Sequence, residues 1–397
     1  MTWNQGLTMQ LDEYTIKLPD QPLEKEMINW RLPISQQKFS YEQLPDLRTL
    51  NSQELQNLGA SQWHLREHGH WQLIKGQPVY VPGGFWMFLN YWTTTRGQRP
   101  NFRIEAWEFF VFWYLHVEKT PNCLGSLFVK ARRLGDSEKT LFILYERATR
   151  YFNYPSGMQS YTDEEAKKAF ERIVRAHKKM PYFFKPKHSG TMSEELKFHR
   201  PSEVNTVKKL KEARGEVIES SDGEFLDSSI SYRATVNLAY DGQILGHFTL
   251  DECLKIPFYK LNVRSQWDNI RRVLTLNNGM TAYGKALLLS TVEEKNENDP
   301  DNSTVEMAEQ LWDDSDPNNL DGNGQTESGL VRIFRGFEKN AQIDEFGFPK
   351  IEEARRHRQN RIDSLLRDKN YTELLSLYRK EPETVQEAFS KSTTNCP

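Results

Sequence analysis

The chain has 397 residues, 37% of them hydrophobic, with 52 basic against 55 acidic side chains and a formal net charge of −3. At about 150 residues per domain this length predicts two or three units around a sizeable core. A mean hydropathy of −0.73, with no apolar run of about 18 residues, excludes a membrane-spanning chain, and the near-neutral charge confines any nucleic-acid contact to a local patch. Met1-Thr2-Trp3-Asn4-Gln5 lacks the basic-then-apolar layout of a signal peptide. Cys123, Cys253 and Cys396 lie far apart, so a reduced, cytosolic protein without structural zinc is expected.

Residues 1–60 are polar and irregular, with a helix signal at Ser52-Gln53-Glu54-Leu55, and are expected to wrap the core as an arm. The stretch from 60 to 120 is rich in aromatics. Trp107, Phe109, Phe110, Phe112, Trp113 and Tyr114 fall at helical spacing and are predicted to be core rather than a base-stacking surface. His64 and His68 are four apart, but Gly69 interrupts the helix and no Cys or acidic set completes four ligands, so no metal site is expected there.

An apolar strand, Leu127-Phe128-Val129, then leads into Lys130-Ala131-Arg132-Arg133-Leu134-Gly135-Asp136-Ser137-Glu138 and a helical pattern from Leu141. Strand, basic glycine-bearing loop, hydroxyl and helix form the layout of a phosphate-binding loop, in which N–H groups and a cation face the anion. A standard Walker A would place lysine before the hydroxyl. Here Asp136 stands there, and the cation moves to the start of the loop at Lys130, beside Arg132 and Arg133. A basic strand-to-helix turn would share this composition, so later segments must decide.

Thr162-Asp163-Glu164-Glu165 reads as a capping box opening an amphipathic helix. Lys178, Lys179, Lys185 and Lys187 cluster at its end, and Lys208, Lys209 and Lys211 form a second cluster. Both fit either a solvated face or a surface tracking DNA phosphates. Ile244 to Leu250 reads as a buried strand ending in Asp251-Glu252. That is the Walker B arrangement, with the Asp on Mg²⁺ and the Glu polarising water, and pleating sends the two carboxylates to different sides. Trp267, Ile270, Val273 and Leu274 mark another amphipathic helix. The strand Lys285–Leu289 ends in Ser290-Thr291, placed to sense a γ-phosphate. Residues 293–328 form an acidic connector. Its Asn319-x-Asp321-x-Asn323-Gly324 run mimics a calcium loop but has Leu330 where Glu is needed, which removes that reading. Val331-Arg332-Ile333-Phe334 looks like a strand, and residues 351–379 read as two charged helices.

With these residues in place, the chain resembles the large terminase subunit of tailed bacteriophages, the ATP-driven motor that packages DNA into the prohead. Lys130-x-x-Arg133-x-Gly135-x-Ser137 looks like that family's variant Walker A, Asp251-Glu252 with Lys255 like its Walker B, and Ser290-Thr291 like its coupling motif. The stretches Leu311 to Pro317, Ile343 to Gly347 and Glu383 to Phe389 are similar to terminases of large phages from gut Bacteroidetes. The resemblance spans about residues 60–397. No glutamine-containing adenine motif stands out upstream, where Pro100-Asn101-Phe102-Arg103 is only a stand-in.

The resemblance implies an α/β fold, a RecA-like P-loop ATPase with a parallel sheet covered by helices. Residues 1–120 would be an arm and aromatic subdomain, 121–292 the ATPase core, and 293–397 a connector and linker. Lys130, Arg132, Gly135, Asp136, Ser137 and Glu138 are the expected nucleotide contacts. Ser137 and Asp251 would hold Mg²⁺, Glu252 would orient water, and Arg133 would stabilise transition-state charge. Expected partners of this ATP hydrolase are double-stranded viral DNA, the portal protein, the small terminase subunit and further copies in a ring on the prohead, in the host cytoplasm. The family's nuclease needs clustered carboxylates on strands. None precede Pro397, so nuclease activity is not expected in this chain. A helicase-like DNA translocase, or a non-catalytic DNA- or portal-binding scaffold with a decayed nucleotide site, remain alternatives.

Overall fold

A computed structural model describes residues 8–27, 29–31, 44–132, 134–189, 192–198, 226–236, 238–256, 262–277, 279, 281–292 and 303–390. Strands β1 (Thr8–Leu11) and β2 (Tyr14–Lys17) make an antiparallel hairpin with alternating burial, as strands with one wet face do. Strand β3 (Asn29–Arg31) pairs in parallel with β4 (His70–Ile74), and β4 antiparallel with β5 (Gln77–Val81). Between β3 and β4, helix α1 (Ser52–His68) opens on an Asn51–Glu54 capping box and stops at Gly69, whose φ is 66°. Helices α2 (Gly83–Tyr91) and α3 (Ile104–Phe112) are buried along every residue. A helix apolar all round belongs inside, and Trp107, Phe109, Phe110, Phe112, Trp113 and Tyr114 are core as the spacing predicts.

The main sheet is built from β6 (Gly125–Lys130), β7 (Pro155–Ser160), β8 (His188–Ser189), β9 (Glu195–Phe198), β10 (Ser228–Tyr232), β11 (His247–Asp251), β14 (Lys285–Ser290) and β15 (Leu330–Arg335). A short hairpin of β12 (Thr275–Leu276) and β13 (Thr281–Ala282) stands apart from it. Strand order is β15-β6-β14-β11-β7-β10-β9-β8. The first six run parallel, β9 is antiparallel to them, and β8, antiparallel to β9, returns to their direction. Helices α4 (Asp136–Ala148) and α5 (Asp163–Lys179) cover one face, and α6 (Val263–Val273) and α7 (Ser303–Asp313) the other.

Pleating divides the apolar runs between the two cores. Phe128, Leu287 and Leu289 face α3, α4 and α5, while Leu127, Val129, Ala286 and Leu288 face α6 and α7. Covered on both faces, these strands read as continuous rather than alternating hydrophobics. Gly125 is required where β6 begins: its φ is 141°, and a Cβ would lie 1.9 Å from the Ala286 carbonyl oxygen. The loop-bearing strand β6 and the acid-bearing strand β11 are separated by β14. The fold is an α/β sheet, mostly parallel and covered by helices on both faces.

Two features depart from the sequence expectation. Leu330–Arg335, grouped on sequence with the connector, is a strand of the central sheet beside β6, because parallel pairing across a long excursion leaves no local signature. Tyr14 covers its outer edge, donating to the Arg332 carbonyl at 3.0 Å and accepting from its N–H at 3.1 Å. At the start of α5 only half of the capping box forms. Thr162 accepts from the Glu165 N–H, whereas the Glu165 carboxylate pairs with Lys168 at 3.1 Å. Helices α8 (Ile351–Arg367) and α9 (Tyr371–Lys380) follow as read, before the short α10 (Val385–Ala388). Among the described residues no helix is long and apolar enough to cross a membrane.

Candidate functional site

Strand β6 delivers Lys130 to the carboxyl edge of the sheet, where open α/β folds bind ligands. The loop beyond it is tied from behind: the Ala131 N–H donates to the Arg335 carbonyl at 2.9 Å and the Arg132 N–H to that of Lys380 at 2.8 Å. Gly135 then turns left-handed, with φ 76°, and α4 begins at Asp136. The first N–H groups of such a helix have no partner within it and face the loop.

Strand β11 ends two positions away in the sheet with Asp251, whose pKa the nearby Ser137 hydroxyl lowers. Glu252 lies past the strand, in a left-handed conformation with φ 56°. Pleating therefore does not separate the two carboxylates. The turn does, and a non-glycine residue held there stores strain of a kind that gathers at functional sites. Lys130 Nζ stands 3.8 Å from Glu252 Oε1, and Lys255 Nζ 3.0 Å from Oε2. From β14, the Ser290 hydroxyl, the Thr291 N–H and the Thr291 hydroxyl each lie 3.4 Å from the same Oε2. The fold thus brings Lys130, Ser137, Asp251, Glu252, Ser290 and Thr291 into one largely buried cluster at the carboxyl edge of the sheet.

Charge divides the two carboxylates. Burial, then the neighbouring Glu252, push Asp251 up to about 6 against the pull of Lys130 and the Ser137 hydroxyl. Burial opposes ionisation of Glu252 as well, but Lys130, Lys255 and the Thr291 N–H overcome it and hold Glu252 below the usual carboxylate range. Asp251 Oδ1 is buried with no hydrogen-bond partner among the described residues. An orphaned carboxylate oxygen beside a hydroxyl offers the hard donors that suit Mg²⁺; the pair fits that ion.

Asp136 is not the exposed carboxylate that its position suggests. It is fully buried and lies 2.5 Å from Lys139. Burial alone would raise its pKa, but Lys139, Arg335 and Lys130 together bring it down to about 2. Lys139 also pairs with Glu105 of α3, which Arg335 meets at 2.6 Å. The Glu138 carboxylate is likewise turned away from the loop, accepting from Trp92 Nε1 and the Thr95 N–H at 3.1 Å each. It ties α4 to the turn at Thr94–Gln98.

Beside the loop lies a cavity of about 370 Å³, lined by Thr95, Gln98, Asn101, Glu105, Gly135 and Asn340 among others. Pro100, Asn101 and Arg103 of the stand-in segment border it, while Phe102 is buried. Arg132 borders a second cavity, of about 480 Å³, with His357, Arg358 and Arg361. Lys178 and Lys179 are exposed at the end of α5, beside Lys187 and a half-buried Lys185 that donates to the Lys178 carbonyl at 3.0 Å. That lysine cluster stands apart from the one around Lys130, Asp251 and Glu252. Arg133, Lys208, Lys209 and Lys211 lie outside the described residues. Sequence reading missed Glu105, Lys139 and Arg335 as neighbours of the loop. Glu105 carries one signal, shared with Glu108: a charged residue inside a mostly apolar helix.

The chain matches no protein-family model and no curated protein sequence. Among solved structures it is similar to the large terminase ATPase domain of Thermus phage P74-26, at 14% identity over 76% of this chain and 98% of that one, with a TM-score of 0.43. It is also similar to the large terminase of bacteriophage HK97, at 13% identity over 70% of this chain and 51% of that one, with a TM-score of 0.40. A third is the large terminase of a thermophilic bacteriophage in complex with ADP, at 12% identity over 65% and 50%, with a TM-score of 0.37. Likeness at this level concerns the path of the chain and says nothing of its chemistry.

Proposed function

We propose that this chain hydrolyses MgATP and is the ATPase part of a viral DNA-packaging motor, a large terminase subunit. One observation carries the ATPase reading: the ends of β6 and β11 and the start of α4 bring together a buried lysine, a hydroxyl near a buried carboxylate and a second, strained carboxylate. Lys130 and the N–H groups at the start of α4 hold the phosphates. Ser137 and Asp251 hold Mg²⁺, which supplies neutralisation of phosphate charge when bound. Glu252, kept ionised by its two lysines, takes a hydrogen bond from the attacking water and orients it. Ser290 and Thr291 read the state of Glu252 through its Oε2 and connect it to β14. Arg133 supplies transition-state charge from the loop. The cavity lined by Gln98, Asn101 and Asn340 takes the nucleoside half.

The motor reading rests on the motif resemblance. It brings double-stranded DNA, a portal protein, a small terminase subunit, a ring of copies on the prohead and the host cytoplasm as the setting. Lys178, Lys179, Lys185 and Lys187 are the assigned DNA contacts. A decayed nucleotide site loses its best support, since Asp136 is neutralised by Lys139 rather than presented to phosphate. The test is MgATP hydrolysis by the purified chain with and without duplex DNA. DNA-stimulated turnover is expected; a folded chain that neither binds nor hydrolyses MgATP overturns the ATPase reading.

A further inference from the structure

Arg132 belongs to the phosphate loop by sequence, yet in the fold it borders a different recess. The lining of that cavity, of about 480 Å³, includes none of Lys130, Asp251 and Glu252. One wall comes from the loop and another from α8, and the two are fastened together. The Arg132 N–H donates to the Lys380 carbonyl at 2.8 Å, and the next residue, Glu381, meets Arg361 of α8 at 2.7 Å. Leu134, Phe337 and Ala354 give the cavity a buried apolar side, where they pack with Ala131. Arg132, His357 and Arg361 are exposed residues of the same lining. A recess of this size, part apolar and part lined by a few converging polar groups, has the usual form of a small-molecule site.

Charge selects the kind of ligand. Arg358 is also in the wall, but Glu387 holds it at 2.6 Å. That leaves Arg132 and Arg361 against the carboxylate of Glu381, so the lining keeps an excess of positive charge. Glu381 takes both of its hydrogen bonds from Nη1 of Arg361. A guanidinium presents several N–H groups in a planar fork, which leaves donors for a second anion. Phosphate suits that fork and has oxygens enough for two arginines at once. We propose that this cavity binds the phosphate group of a small phosphorylated ligand, held by Arg132 and Arg361 with His357 beside them. Inorganic phosphate and an organic phosphate ester share this chemistry. The site is separate from the one assigned to the nucleotide phosphates and does not depend on the ATPase reading.

The test is calorimetric titration of the full chain with inorganic phosphate and with ribose 5-phosphate, on the parent, Arg361→Ala and Glu381→Gln. The Arg361–Glu381 pair is 44% and 33% exposed, and pairs of this kind add little stability, so both variants are expected to fold. Arg361→Ala removes a charged donor and should weaken phosphate binding at least ~10-fold. Glu381→Gln removes the competing carboxylate and should tighten it by about threefold or more. Opposite signs from the two partners of one ion pair are not what a purely structural role produces. Stronger binding of ribose 5-phosphate names an organic ester and equal binding names free phosphate; either upholds the site. A parent that binds no phosphate, or two variants that do not move in opposite directions, overturns the proposal. Phosphate binding that is lost in Lys130→Ala and unchanged in Arg361→Ala assigns the anion to the nucleotide loop, which overturns the proposal and leaves the ATPase reading standing.

Discussion

Two sets of charges lie on either side of the loop, and they are finished to different degrees. Under it, Asp136, Lys139, Glu105 and Arg335 are fully buried and close on one another through pairs of 2.5 and 2.6 Å. Above it, Lys130 stands off from Glu252 at 3.8 Å, Asp251 keeps an oxygen unpaired, and Glu252 is held at φ 56°. Burial without closure is costly, so the upper set is arranged for groups that arrive; the lower set holds the loop still through its ion pairs, although one oxygen of Glu105 lacks a hydrogen-bond partner there too among the described residues. The contrast teaches that two lysines nine positions apart on the same loop and helix have different work.

The largest expected effect breaks the lower set. Lys139→Ala leaves Glu105 and Asp136 buried without their shared cation and should lower stability by about 3–5 kcal/mol, read by denaturant unfolding; Lys130→Ala should instead remove nucleotide binding, read by calorimetry. Interchanged outcomes would reverse the assignment of the two sets. Next, Glu252→Gln should keep MgATP binding and lower turnover by at least ~10²-fold, since only the group orienting water is lost. Turnover within a few-fold of the parent would remove Glu252 from the chemistry.

A smaller effect extends the comparison to a buried group kept neutral. His247 packs against Trp113, and burial, then Arg147, push its pKa from 6.5 down to about 3. The unfolded chain therefore takes up this proton first, and the stability His247 contributes is complete above pH 6.5 and lost as pH falls towards 3. Its share of the slope approaches ~1.4 kcal/mol per pH unit in that window. His247→Leu should flatten the acid loss by that amount relative to the parent, measured by unfolding at pH 7 and pH 5; parallel curves would show that His247 is charged in the fold. The smallest effect concerns the exposed end of α5. Replacing Lys178, Lys179 and Lys185 together by alanine should reduce the salt slope of duplex-DNA binding by about 3 if all three touch phosphate. An unchanged slope makes the cluster a solvated face.

Much of this was legible locally. Lys130, Asp251, Glu252, Ser290 and Thr291 stand where apolar runs stop and Ser137 just ahead of one, and a run bounded by turn chemistry can be read within ten residues of sequence. The aromatics of α3 announced a core helix by spacing alone. Asp136 was legible as a residue and misleading as a charge, because what neutralises it comes from β6, from β15 and from one helical turn further along α4. The same distance hid the cavity, whose wall joins Thr95, Gln98 and Asn101 to Asn340.

The sequence by itself determined the elements, the ends of the strands and the residue types waiting there, since these follow from side-chain period and from the chemistry of turns. Only the tertiary structure decided that β14 separates the loop strand from the acidic strand and that β15 closes the sheet beside β6. It also decided that Glu252 turns left-handed between Lys130 and Lys255, and that Glu105 pairs with Lys139 and Arg335 beneath the loop. Parallel strands pair across long excursions, and buried charges find partners by proximity in space. Neither leaves a mark on neighbouring residues.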